Sequence, residues 1–173
     1  MMITIRSKKF ILRPFKKGDE LSVAKNINNI KIARNTLHIV YPYDMKAARS
    51  WIELNLKLDK EKDKSQFHLA IAINGEASGG IGLSQVNGHS AEIGYWLGEN
   101  YWGRGIATKA VKLLTRHAFA KLGLRRVYAY VFPFNKASSR VLQKAGYKFE
   151  GKLRKNILKD GKPIDELLFA KTR

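Results

Sequence analysis

Apolar residues return along this chain with two periods, near 3.6 and near 2, and the alternation between them predicts helices and strands in turn. An opening strand is expected around Ile3 to Leu12, closed by Arg13-Pro14. Gly18-Asp19 then offers an N-cap for a helix that uses Leu21, Ala24, Ile27 and Ile30. Asp44 caps a second helix, in which Ala48, Ile52 and Leu56 repeat at a spacing of four; its tail, Lys57 to Lys64, alternates charges and reads as a solvated helix end. Three strands follow, Phe67 to Ile73, Ala77 to Val86 and Ala91 to Leu97, separated by the hairpin dipeptides Asn74-Gly75 and Asn87-Gly88. From Gly105 to Leu122 the apolar positions recur at helical spacing. A short strand over Arg126 to Phe132 precedes a helix from about Lys136 to Ala145 that ends at Gly146. Two last strands, Tyr147 to Lys155 and Ile164 to Lys171, flank Asp160-Gly161. The order βααβββαβαββ implies a mixed sheet with helices on its faces.

At 173 residues and 45% apolar content the chain has the size of one ordinary domain, 1–173, able to bury a core without staples. It has no cysteine, which excludes disulfides, thiolate metal sites and covalent catalysis through a thioacyl-cysteine. The four histidines, His38, His68, His89 and His117, show no metal-like spacing, so no metal is expected. No apolar run reaches membrane length and the first ten residues lack a signal-peptide core, which points to the cytoplasm. Thirty-three lysines and arginines against 14 acidic residues leave +19, a charge suited to a polyanionic partner.

The densest glycine cluster, Trp102-Gly103-Arg104-Gly105-Ile106-Ala107, lies between a strand and a long helix. Glycines there let a ligand approach the backbone, and the helix N-terminus adds about half a positive charge. The spacing lacks the Gly-Lys-Ser/Thr of a P-loop. A dinucleotide fingerprint would need glycine at Thr108 and an acid about 20 residues later, yet positions 100–149 contain no Asp or Glu and eleven cations. That window suits a ligand with several phosphates.

The segment Ala91-Glu-Ile-Gly-Tyr-Trp-Leu97, the loop Tyr101-Trp-Gly-Arg-Gly-Ile-Ala107, and Asn135-Lys-Ala-Ser138 leading to Gly146-Tyr147 resemble the GNAT superfamily of acetyl-CoA-dependent N-acetyltransferases. Leu12-Arg13-Pro14-Phe15 with Gly18-Asp19 looks like the RimJ/RimL branch, which acetylates ribosomal-protein N-termini. The resemblance spans nearly the whole chain. It implies an α+β fold, a central mixed, mostly antiparallel sheet of about seven strands with helices on both faces.

It also implies a site. The family's pyrophosphate signature, Gln/Arg-x-x-Gly-x-Gly/Ala, falls on Trp102, Gly103, Arg104, Gly105, Ile106 and Ala107, with Thr108 in the following turn; Trp102 departs from it. The pantetheine arm would lie along Ile93, Gly94, Tyr95, Trp96 and Leu97. Asn135 matches the asparagine that contacts the pantetheine side, and Arg140 is placed for the nucleotide phosphates. Glu92 is the candidate proton acceptor, against the plainer reading of an exposed strand carboxylate. Family members often reprotonate the leaving thiolate with a tyrosine seven residues after the asparagine; Leu142 stands there, which makes Ser138, or its neighbour Ser139, the substitute. Trp51, Trp96, Trp102, Tyr41, Tyr43 and Tyr95 could line an acceptor cleft, although aromatics at such positions more often build core.

The expected reaction is direct acetyl transfer from acetyl-CoA to a primary amine, on family grounds the α-amino group of a protein, ribosomal in the RimJ/RimL branch. Two alternatives stay open: acetylation of a small amine such as an antibiotic, and a basic RNA- or ribosome-binding module on the same scaffold. A monomer and a homodimer fit equally.

Overall fold

The computed structural model describes residues 3–60 and 65–173. Their strands form one sheet of eight, in the order β1-β2-β3-β4-β5-β6-β8-β7. The strands are β1 (Ile5–Arg6), β2 (Ile11–Pro14), β3 (Phe67–Ile73), β4 (Glu76–Asn87), β5 (Ser90–Leu97), β6 (Arg126–Val131), β7 (Lys148–Lys159) and β8 (Lys162–Thr172). Every neighbouring pair is antiparallel except β5 and β6. The eighth strand arises because the expected opening strand folds back on itself: Ser7 N–H donates to the Phe10 carbonyl at 2.9 Å across the Lys8-Lys9 turn, and Ile5 pairs with Leu12.

The helices are α1 (Glu20–Ile27), α2 (Ile30–Arg34), α3 (Met45–Lys60), α4 (Ile106–Lys121) and α5 (Lys136–Ala145). Helices α4 and α5 bury Ala110, Val111, Leu114, Ala118, Leu142 and Ala145 on one face of the sheet against Leu12, Ile71, Leu83, Ile93 and Val127. Helices α1 to α3 bury Val23, Ile27, Ile32, Ala48 and Ile52 on the other, against Ala70 and Ala77. Each of the valine, leucine and isoleucine side chains among them contributes roughly 1.5–3 kcal/mol when removed from water.

Two expectations at the N-terminal end are corrected. The first helix stops at Ile27, and Ile30 begins the separate α2, capped by Asn29 Oδ1, which accepts from Lys31 N–H at 2.8 Å. Its buried positions are Val23 and Ile27, while Leu21 faces solvent. Asp19 stands at the N-cap but makes no capping bond; its carboxylate turns to Arg13 in a bidentate pair of 2.7 and 2.8 Å. Arg13 also donates to the Gly75 carbonyl, so this pair ties β2, α1 and the β3–β4 turn together. Asp44 does cap α3, its Oδ1 accepting from Ala47 N–H at 2.8 Å. Of the charged tail expected after Leu56, residues 61–64 lie outside the described residues.

Strand β4 has glycines where the α1–α3 face must accept large rings. A Cβ on Gly80 would stand 2.4 Å from the Trp96 indole, and one on Gly82 would stand 2.5 Å from His68. His68 lies 4.8 Å from the Trp51 ring, with Nδ1 3.1 Å from Asn55 Oδ1. Burial lowers its pKa from 6.5 to about 4. The folded state therefore refuses a proton that the unfolded chain takes up near 6.5, and stability should be lost as pH falls from 6.5 toward 4, by up to about 3 kcal/mol. Denaturant titrations across that range should show this slope in the wild type and a flatter one in His68→Gln; parallel slopes would assign the loss to other groups.

Candidate active site

The parallel ladder between β5 and β6 is three pairs long, ending at Glu92↔Tyr128. Beyond it the strands diverge, and residues 93–97 have no ladder partner on that side, while on the other they stay paired with Leu83 to Gly79 of β4. A strand edge left unpaired inside a sheet, partly buried and open at Gly94, can pair with an extended chain laid along it. An extended amide-containing ligand would supply one.

The fork opens onto the glycine turn. After Leu97 come a 3₁₀ turn, Glu99–Tyr101, then Trp102, then Gly103 and Gly105, both with φ of +73°. Only glycine adopts that backbone without strain, and a Cβ at either position would point into space free of atoms for 4 Å. Gly105 is the N-cap of the 16-residue α4 and provides no side-chain cap, so the first-turn N–H groups at Ile106, Ala107 and Thr108 are left for an anion. The cradle therefore fits the pyrophosphate of CoA. The Trp102 indole Nε1–H donates to the Leu97 carbonyl at 2.7 Å, fastening the turn to the end of β5. The side chain that departs from the family signature thus acts as a brace. Arg104 sits 5.9 Å over the Tyr101 ring, which holds its charge beside the turn. The turn is anchored from behind by Glu99, which accepts from Asn29 at 2.6 Å and pairs with Lys31 of α2.

Side chains alternate along β5. Ile93, Tyr95 and Leu97 face α4 and α5; Glu92, Gly94 and Trp96 face α1 to α3. Gly94 lies opposite Gly82, which the His68 ring covers, while a Cβ on Gly94 itself would meet nothing within 4 Å, so the open floor next to Glu92 is the exposed backbone of Gly94. Glu92 Oε2 accepts from Gln85 Nε2 at 3.1 Å, and Gln85 in turn is 3.4 Å from the Tyr128 hydroxyl. Burial, and after it the charge of Glu166, push the Glu92 carboxyl above the usual carboxylate range. Glu166 on β8 is itself buried and accepts from Asn156 at 2.8 Å. Sequence reasoning missed Glu166, Gln85 and Tyr128. For Glu166 the signal was present: it shares an alternation phase with Ile164, Leu168 and Ala170, an inward position for a carboxylate.

On the α4–α5 side, Asn135 caps α5, its Oδ1 accepting from Ser138 N–H at 3.1 Å while its Nδ2 donates to the Asn35 carbonyl at 3.3 Å. Ser138 Oγ lies 2.7 Å from the Tyr95 hydroxyl. Ser139 instead donates to the Asn135 carbonyl at 3.4 Å. Arg140 is exposed on α5, without an ion-pair partner among the described residues. The structure thus brings Glu92 and Ser138 to opposite sides of the fork that holds residues 93–97, with Trp102 to Thr108 at its open end. Of the aromatic candidates, Trp96 borders the Glu92 floor; Trp51 and Tyr43 are packed against the α1–α3 core, Trp102 belongs to the glycine turn, and Tyr41 is exposed. Among the described residues no group of three or more metal-binding side chains occurs, and no helix is long and apolar enough to cross a membrane.

The model of the acetyltransferase (GNAT) domain matches residues 9–148. The uncharacterized N-acetyltransferase p20 of Bacillus licheniformis is 35% identical over 130 residues, 73% of this chain and 72% of that protein. The spermidine N(1)-acetyltransferase of Escherichia coli K12 is 29% identical over 145 residues, 82% of this chain and 74% of that protein. Among solved structures, RimL, a ribosomal L7/L12 alpha-N-protein acetyltransferase in complex with coenzyme A, superposes with a TM-score of 0.88 at 20% identity, covering 98% of each chain. With the family's domain matched across most of its length on a forked sheet with an open glycine turn, the chain is an acetyl-CoA-dependent N-acetyltransferase and belongs to the GNAT family.

Proposed function

We propose that the chain, as a single acetyltransferase domain over 1–173, acetylates the N-terminal α-amino group of a protein, with ribosomal proteins the leading class. The observation that supports this reading is the fork itself: the Glu92 carboxylate, its pKa raised by burial, stands beside the open backbone of Gly94 on one side of β5, and the Ser138 and Tyr95 hydroxyls stand together on the other. In this reading residues 93–97 align acetyl-CoA along the strand edge, the N–H groups at Gly103 to Thr108 hold its pyrophosphate, Asn135 fixes the turn that presents Ser138, and Arg140 meets the nucleotide. Acetyl-CoA supplies the activated acetyl group. Glu92 takes the proton from the attacking amine, and Ser138 hydrogen-bonds the departing sulfur.

The pKa scale favours an α-amine. At about 7.7–8.0 it is largely ready to lose its proton near neutrality, whereas a lysine at about 10.4 needs far more help. Glu92 and Glu166 make the floor locally negative and would hold any ammonium group. The +19 background opposes a polyamine with several charges more than it opposes one α-ammonium. It also attracts an acidic protein or one presented on RNA. Part of that charge lies along a hollow of about 680 Å³ at the far end of α4, where Lys112, Arg116, Lys144, Lys171 and Arg173 have no carboxylate partner among the described residues.

The charge makes this reading testable by salt. For a protein acceptor kcat/KM should fall steeply between about 50 and 300 mM salt, while a short neutral peptide with the same N-terminus should change little, because screening acts on the long-range field. Equal salt dependence for both would assign the charge to CoA binding or solubility and remove the support for a macromolecular acceptor.

A further inference from the structure

We propose that Tyr95 is a positioning residue for the leaving thiol: its hydroxyl holds the Ser138 hydroxyl so that the serine proton is available to the sulfur of CoA. This rests on the assignment of Ser138 made above and goes beyond it.

Tyr95 lies three residues past the last β5–β6 pair, on the diverging part of the strand, and its side chain crosses toward the first turn of α5. There its Oη is 2.7 Å from Ser138 Oγ and 3.3 Å from the Ser138 carbonyl oxygen. The Asn135 cap fixes this turn, so the hydroxyl pair joins the two arms of the fork at a set separation. Leu142, one turn farther along α5, is fully buried in the core and supplies no hydroxyl.

Each hydroxyl has one proton, and counting them defines two arrangements. In the first, Ser138 donates to Tyr95 Oη and Tyr95 donates to the Ser138 carbonyl, so both protons are engaged within the pair. In the second, Tyr95 turns its proton onto Ser138 Oγ, and Ser138 turns its own toward the slot. Two hydrogens rotate, no covalent bond breaks, and a thiolate in the slot gains a hydrogen bond from a serine whose oxygen is still satisfied. Without Tyr95, Ser138 would donate to the thiolate with its oxygen unsupported and its rotamer free. Burial holds the Tyr95 phenol well above its ordinary value, and the hydrogen bond to Ser138 opposes this only in part. Tyr95 therefore remains a donor at working pH and does not pass its proton on.

The test is the pKa of the CoA thiol when bound, followed by thiolate absorbance in the near ultraviolet, in wild type, Tyr95→Phe, Ser138→Ala and the double variant. Tyr95→Phe keeps the packed ring. An ordinary thiol titrates at about 8.5. The wild type should lower this roughly tenfold in proton affinity, each single variant should abolish most of that shift, and the double should lose no more than either single. Turnover should fall about tenfold in each, with affinity for desulfo-CoA unchanged. A wild-type thiol pKa in Tyr95→Phe alongside a loss in Ser138→Ala would overturn the role of Tyr95 alone. A wild-type value in Ser138→Ala would overturn the Ser138 assignment and this inference with it. Losses that add in the double variant would make Tyr95 an independent packing residue and overturn the inference.

Discussion

Glu92→Gln is expected to lower kcat by roughly a hundredfold or more while leaving CoA affinity within about twofold, the scale on which loss of a general base is felt. Glutamine keeps the size of the side chain and can still meet Gln85, which lies 3.1 Å from the carboxylate, so the fork should be undisturbed. What it lacks is a lone pair basic enough to take a proton. Because burial and the Glu166 charge raise the Glu92 pKa, the acid limb of the wild-type profile should lie above the ordinary glutamate value of about 4.3. Activity is lost as pH falls through that raised value and Glu92 becomes protonated. The limb should vanish in the variant. Turnover within threefold of wild type at neutral pH would show that the amine reaches its neutral form without Glu92.

The second large effect is on binding. Gly105→Asp should weaken acetyl-CoA by at least tenfold, about 1.4 kcal/mol. Gly105 has φ of +73° at the N-cap of α4, and its Cβ position faces open space. Aspartate is among the non-glycine residues that visit that left-handed backbone most readily, so the helix should survive with some strain at its N-cap. Its carboxylate, however, would occupy the first-turn N–H groups and repel the pyrophosphate. Calorimetry should find the loss in a folded protein, with Lys121→Ala, at the far end of the same helix, close to wild type. Unchanged affinity in folded Gly105→Asp would remove the glycine turn from the cofactor site.

Which parts of this architecture could be read beforehand depends on how local their causes are. Strand β3, Phe67–Ile73, and helix α5, Lys136–Ala145, are found at their expected bounds, because Asn74-Gly75 and Gly146 end them through positive-φ backbone conformations that asparagine and glycine adopt most readily. Helix α2 was not legible. It has five residues and is held by contacts distant in sequence, Asn29 and Lys31 to Glu99 and Lys159 to the carbonyls of Ala33 and Thr36. The phase of α1 was misread for a related reason: Leu21 and Ile30 are apolar yet exposed, and burial of one face was decided by the sheet.

The site divides along the same line. Gly103 and Gly105 announce the turn by composition, and its conformation follows from them. The surroundings of Glu92 come from three strands that meet through a parallel pairing and a crossover, so Gln85, Tyr128 and Glu166 approach it from positions that no local pattern connects. The brace between Trp102 and Leu97 spans five residues but depends on the 3₁₀ turn between them.

The most direct measurement is acetyl-CoA-dependent release of free thiol, with the acetylated product located by mass spectrometry, across a panel of N-terminal peptides, polyamines and aminoglycosides. The proposed function predicts thiol release with N-terminal peptides at rates well above the buffer blank, and acetyl on the α-amino group. Release confined to polyamines or aminoglycosides, or acetyl found only on lysine side chains, would contradict it.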